Sequence, residues 1–141
     1  MVRVNIFEQD SFVEISGFVD IRNQPITISH VPIPKIWESS DLNQFAEVES
    51  AAMVMYTLHC MNFAPDYRFV KLYDMSTTID PEVDRPKFTI PIVADIPQNL
   101  QFPAGLSFVN ALQIRVTRCL AYTDTNMAED GDVHVTVTYA S

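Results

Sequence analysis

Carboxylates crowded into one glycine-bearing turn are the first residues of this chain whose types and spacing could do chemistry. Asp124, Asp130 and Asp132 lie in the stretch DTNMAEDGD, residues 124–132. A hard cation such as calcium draws several carboxylate and carbonyl oxygens from a single bent segment. The spacing departs from an EF-hand, because the fifth position is Ala128 and the glycine stands at 131 instead of 129. A solvated acidic hairpin loop accounts for the same residues, and a weak surface calcium site at Asp124, Asp130 and Asp132 stays as the alternative. The stretch IDPEVD, residues 79–84, offers a second acidic turn with less to recommend it.

Nucleophilic chemistry finds little support. His59 and Cys60 are adjacent, but neighbours on a strand point to opposite faces and do not pair side chain to side chain. His30 and His134 stand apart, and no G-x-S-x-G, H-E-x-x-H or glycine-rich phosphate loop occurs. Cys60 and Cys119 lack zinc spacing; both read as reduced core residues, with a disulfide as the alternative. The chain is therefore expected to be non-enzymatic and to need no cofactor.

Composition narrows the class. With 141 residues, 48% hydrophobic and 19% charged, the chain has the scale of one globular domain. No apolar run approaches the roughly 18–20 residues of a membrane-spanning helix. Eighteen acidic against nine basic residues give a net charge of −9, which repels nucleic-acid phosphates and anionic membranes. Neither nucleic acid nor membrane is an expected partner. The N-terminal stretch meets Glu8 and Asp10 before any apolar segment builds up, so a cleavable secretory signal is not expected and synthesis is read as cytoplasmic.

Strands must position whatever the chain presents. In 132–139, Val133, Val135, Val137 and Tyr139 alternate with polar residues, the pattern of a half-buried strand. Its expected hairpin partner across loop 122–131 is 112–120, with Leu112, Ile114, Val116 and Leu120 on one face and Gln113, Arg115 and Thr117 on the other. A central strand is predicted where Ala52, Val54, Tyr56 and Leu58 alternate with Met53, Met55, Thr57 and His59. Shorter strands are predicted over 68–73 and 87–93, the latter running along a sheet edge or bending between sheets because Pro91 cannot donate to a ladder. Only three glycines occur, so turns fall to Asn62, Pro65-Asp66, Asp80-Pro81 and Pro97-Gln98-Asn99. A short helix is expected over 41–52, capped by Asp41 with Leu42, Phe45 and Val48 inward.

The first forty residues read differently. Val2, Val4 and Ile6 alternate, as do Val13, Ile15, Val19 and Ile21, before Pro25, Pro32 and Pro34 punctuate an extended stretch ending at Trp37. Residues 1–40 are read as N-terminal strands and an extended arm, and 41–141 as the body of a single domain. The fold class is all-β, an antiparallel β-sandwich of the jelly-roll kind with an extended N-terminal segment. An immunoglobulin-like topology is the runner-up, against which Trp37 precedes the first cysteine. Nine Phe, five Tyr and one Trp are generous for a sandwich of this size, which suggests surfaces covered by self-association. The candidate contact residues are Phe7, Phe12, Phe18, Trp37, Arg68, Lys71, Arg115 and Arg118. Lys71 and Arg68 are placed on opposite faces of one strand.

The order RFVKLYD (68–74), FTIPI (88–92), FPAGLSFVNAL (102–112), IRVTR (114–118), TDTN (123–126) and GDVHVTVTY (131–139) resembles a group of small structural proteins of tailed bacteriophages. Lys71, Leu72, Tyr73, Pro91, Gly105, Phe108, Asp124 and Tyr139 match that pattern, while Asp74 replaces its usual Asn. The resemblance spans about half the chain, residues 67–140. It implies a capsid decoration, or cement, protein with a jelly-roll body, forming homotrimers on the major capsid protein at the virion surface. The rival reading is a receptor- or carbohydrate-binding sandwich of a fibre or spike. That rival requires Trp37, Tyr67 and Tyr122 to be exposed on one face.

Overall fold

Alternating β-branched and aromatic side chains become strand where the backbone finds a ladder partner on at least one edge. The computed structural model describes residues 33–39 and 45–141, and among these there are strands, turns and loops but no helix. The strands are β1 (Lys35–Ser39), β2 (Ala46–Glu49), β3 (Met53–Asn62), β4 (Arg68–Tyr73), β5 (Phe88–Ile92), β6 (Gln98–Phe108), β7 (Leu112–Thr117) and β8 (Val133–Ala140). They form two antiparallel four-stranded sheets, ordered β1-β8-β3-β6 and β2-β7-β4-β5. The fold is an antiparallel β-sandwich. Expectations for Phe7, Phe12, Phe18, the alternating stretches before Pro32, and the helix cap at Asp41 and Leu42 lie outside the described residues.

The core forms where the inner faces meet. Met55, Leu58, Val135 and Val137 from one sheet pack with Val70, Leu72, Ile114 and Val116 from the other. Each such side chain, fully buried, stabilises the fold by roughly 1.5–3 kcal/mol. The alternation of β8 holds as read: Val133, Val135, Val137 and Tyr139 are buried and His134, Thr136 and Thr138 half-exposed. Strand β5 lies at a sheet edge with Pro91 opposite Phe69, as its missing donor requires.

Several expectations are corrected. Strands β7 and β8 do not form a hairpin: β7 pairs with β2 and β4, β8 with β1 and β3, and loop 118–132 crosses between sheets. Both edges of each strand are already taken by more distant segments, which local alternation cannot reveal. Leu120 falls beyond the end of β7 and is 63% exposed, so it shares no inner face with Val116. Residues 46–49 of the expected helix are strand, because the β7 edge offers this short apolar-polar segment a ladder. Residues 35–39, at the end of the segment read as N-terminal strands and an extended arm, form a strand that pairs along β8 from Lys35↔Tyr139 to Ser39↔Val135. Gln98 and Asn99, read as a turn, begin β6 and pair with Cys60 and His59.

A bulge changes the inward set of β3. The register on β8 jumps from Met55↔Tyr139 to Thr57↔Thr138, leaving Tyr56 unpaired, and on β6 residues 102–105 lie opposite it. Met53 and Met55 face the core before the bulge and Leu58, Cys60 and Asn62 after it. A single extra residue reverses the parity of a strand. The face predicted to carry Ala52, Val54, Tyr56 and Leu58 together is therefore split.

Candidate functional site

Loops 63–67, 93–97 and 118–132 meet at one end of the sandwich, drawn together by Asn62. Its buried side chain donates from Nδ2 to the carbonyls of Asp66 at 2.8 Å and Ile92 at 2.9 Å, and accepts from the Ala64 N–H at 2.9 Å. Its own carbonyl accepts from Asp95, a non-glycine residue held at φ 59°. The Phe63 N–H donates to the carbonyl of Asp132 at 2.7 Å, which ties the third loop in. Asn62 was expected at a turn; its work is to fasten the end of β3 to two neighbouring loops. An Asn closing an apolar strand beside a Pro-Asp turn was the signal available for it.

A cleft of about 520 Å³ opens here, lined by Pro65, Asp66, Tyr67, Arg68, Val93, Ala94 and Arg118. Phe63, Tyr67 and Ile96, on the loops at this end, are each more than half exposed. Tyr67 stacks on Phe69 with ring centres 6.4 Å apart, which fixes its orientation. Arg118 is the exposed cation at the cleft and pairs with Glu129 at 2.6 Å. Among the described residues no histidine or cysteine lines the cleft.

The acidic loop is held by its own chain. Asp124 accepts from the N–H groups of Cys119 at 2.7 Å and Asn126 at 2.9 Å. Asp132 accepts from Arg68 Nε at 2.8 Å and from the Glu129 N–H at 3.1 Å. Burial works against the charge on Asp132, yet the Glu129 N–H and Arg68 outweigh it and hold the carboxyl below its usual value. Asp130 also has a partner. Asp124 and Asp132 face backbone donors and an arginine, and among the described residues no three His, Cys, Asp or Glu side chains cluster as a cation would need.

The contact residues named from sequence that lie among the described residues do not gather on one exposed surface. Arg68 is buried against Asp132, while Lys71 and Arg115 are 0% and 2% exposed, so none of these three offers a charge to a partner of the folded chain. Trp37 is half-buried and packs against the core from opposite Val137. Arg118 alone among the described candidates is exposed. Lys71 and Arg115 lie on the outer face of the β2-β7-β4-β5 sheet, which is covered: Lys71 donates to the carbonyl of Ala121, and Phe45 sits edge-on to Tyr73 at 5.5 Å. Burial lowers the Lys71 pKa, Arg115 adds to the effect, and Asp124 and Cys119 oppose it.

The cysteines differ from the expectation in one respect. Both are free thiols, and Cys60 is buried in the core, but Cys119 follows the end of β7 and is exposed. Burial pushes the Cys60 thiol up to about 12. A disulfide exchange reagent should therefore modify one thiol per chain rapidly in the native protein and the second only after denaturation. Rapid modification of both in the folded state would contradict this packing.

No protein-family model matches the chain, and no curated protein or solved structure matches it either.

Proposed function

We propose that this protein is a non-enzymatic virion structural protein of a tailed bacteriophage, a cement protein that decorates and stabilises the capsid as a homotrimer. The observation that carries this reading is the pairing of β1 with β8, β2 with β7, β3 with β6 and β4 with β5. Such pairing supports a jelly roll, in which a long antiparallel ribbon is rolled up on itself. The segments that carry the phage resemblance occupy β4 to β8 of it in order. Its mechanism is mechanical: modest contacts on neighbouring capsomers add through multivalency. The exposed Phe63, Tyr67 and Ile96 on the loops at this end, and Arg118 at the cleft, supply apolar and charged groups for such contacts.

The receptor-binding reading draws less support. Trp37 packs on the core, Tyr122 lies under the Arg85 guanidinium at 4.1 Å, and only Tyr67 of that trio is more than half exposed.

Light scattering after size exclusion should return three times the 16.0 kDa chain mass. Phe63→Ser combined with Ile96→Ser should cut occupancy on undecorated capsids at least about tenfold with little change in the melting temperature, since exposed apolar side chains contribute to contacts more than to the core. A monomer that leaves capsids undecorated would defeat the proposal, and glycan binding abolished by Tyr67→Ala would favour the rival.

A further inference from the structure

Lys71 and Arg115 are direct cross-strand partners, and both are withdrawn from solvent. Two like charges side by side in a low-dielectric setting repel and lose their hydration, so such a pair persists only where something compensates it. The compensation visible among the described residues is partial. Lys71 Nζ donates to one neutral carbonyl, that of Ala121. Arg115 Nε donates to Met127 Sδ at 2.9 Å, a weak acceptor, and the guanidinium lies 5.3 Å from the Phe45 ring centre.

The remaining groups are a guanidinium N–H, which donates, and a phenol hydroxyl, which donates or accepts. Arg115 Nη1 and the hydroxyl of Tyr73 are buried without a well-formed hydrogen bond; the guanidinium stands close enough to act on the hydroxyl as a donor, and Asp84 acts on it as a charge. The carboxylate acting on Lys71, Asp124, has both oxygens engaged by the N–H groups of Cys119 and Asn126. Among the described residues neither cation makes an ion pair. Three side chains thus offer N–H or O–H groups, against the Ala121 carbonyl, the weak acceptor Met127 Sδ and the Tyr73 oxygen. A water molecule would bring two hydrogens of its own to this donor-rich place, whereas an anion needs only donors.

We propose that Lys71, Tyr73 and Arg115 form a buried site for a small monovalent anion of the halide class. One negative charge adds to what Asp124 supplies to Lys71 and Asp84 to Tyr73, and balances the pair of cations. The apolar surroundings from Phe45 and Met127 favour a weakly hydrated ion over a multiply charged oxyanion, which would require more donors than these side chains supply.

The test is thermal unfolding at one pH and one ionic strength in sodium chloride, sodium bromide or sodium gluconate. Halide should raise the melting temperature saturably, by roughly 5 °C or more once it exceeds its dissociation constant a hundredfold, and gluconate should not. In Lys71→Met/Arg115→Met, whose apolar side chains preserve volume, the halide response should vanish. Crystals of the unaltered protein grown in bromide should show anomalous scattering within about 3.5 Å of Nζ, Nη1 and the Tyr73 oxygen, a readout independent of whether the double variant folds. Equal melting in all three salts, a halide response that survives the double substitution, or a carboxylate of the chain in place of bromide would overturn the proposal.

Discussion

Gly105→Val should lower the free energy of unfolding by about 4 kcal/mol, combining a backbone penalty with a steric one. Gly105 holds φ at +80°, and a Cβ there would stand 2.3 Å from Val54 Cγ1 and 3.3 Å from Tyr56 Cε1. Val54 is β-branched and confined to few rotamers, so it cannot swing away cheaply. The collision falls where residues 102–105 of β6 lie opposite the bulge at Tyr56, so relief would require shifting the ladder itself. Gly131 provides the control: its φ is +77°, but nothing lies within 4 Å of its Cβ position. Gly131→Ala should therefore show the backbone penalty alone, about 1 kcal/mol. Denaturant titration of both variants checks the pair, and equal losses would mean that the approach of β3 to β6 is looser than described.

Asp74→Ala should destabilise the sandwich by about 3 kcal/mol, because it strips a turn of its anion. Asp74 Oδ1 accepts from the Asn110 N–H at 2.8 Å and, weakly, from that of Ala111 at 3.5 Å. Oδ2 accepts from the Val109 N–H at 3.1 Å and from Lys87 Nζ at 3.1 Å. Successive backbone N–H groups converging on one carboxylate form an anion-binding nest. Asn in this place keeps one acceptor oxygen and turns an amide donor toward the other N–H groups; Asp74→Asn should cost about half as much.

The pH dependence has a definite sign. Burial of Asp74 opposes its charge, but the N–H groups of Asn110 and Val109, Lys87 and the Ala111 N–H outweigh it and lower the pKa in the folded state. A carboxyl depressed on folding contributes stability that is present above its unfolded value, about 3.9, and lost as pH falls through the folded value. The stability gap between the wild type and Asp74→Ala should accordingly be constant near neutrality and narrow below about pH 4. A gap that stays constant down to pH 2 would show that the carboxylate's charge contributes nothing.

Where the information is local, the chain could be read directly. The valines of 133–137 alternate with polar residues over one strand, and Pro91 placed its segment at an edge because a missing donor has the same consequence in any fold. His59 and Cys60 fall on opposite faces for the same reason: the period of a strand is a property of the backbone. The class of the fold, all-β with two layers, follows from such patterns repeated along a chain that shows no sustained helical period. The site was less legible. Arg68, Lys71 and Arg115 carry charge, and charge by itself reads as surface; only the covering of the second sheet by Phe45 and loop 118–132 turned Lys71 and Arg115 into buried groups.

The tertiary structure decided which strands meet. Residues 112–117 and 133–140 have complementary alternation and a polar loop between them, which is everything a hairpin asks of sequence, yet each found other partners in opposite sheets. Pairing is chosen by the summed burial of all the strands together, a quantity that no adjacent pair contains. The same holds for the parity of β3: its residues favour both faces almost equally, so the bulge at Tyr56, fixed by its neighbours β6 and β8, determined whether Met55 or Tyr56 met the core. Asp74 and Asn62 belong to this second group, because a short polar side chain at a strand end acquires its role only when backbone donors from distant loops are delivered to it. Sequence set the period of the strands through local sterics; long-range packing, which that period leaves open, set their partners.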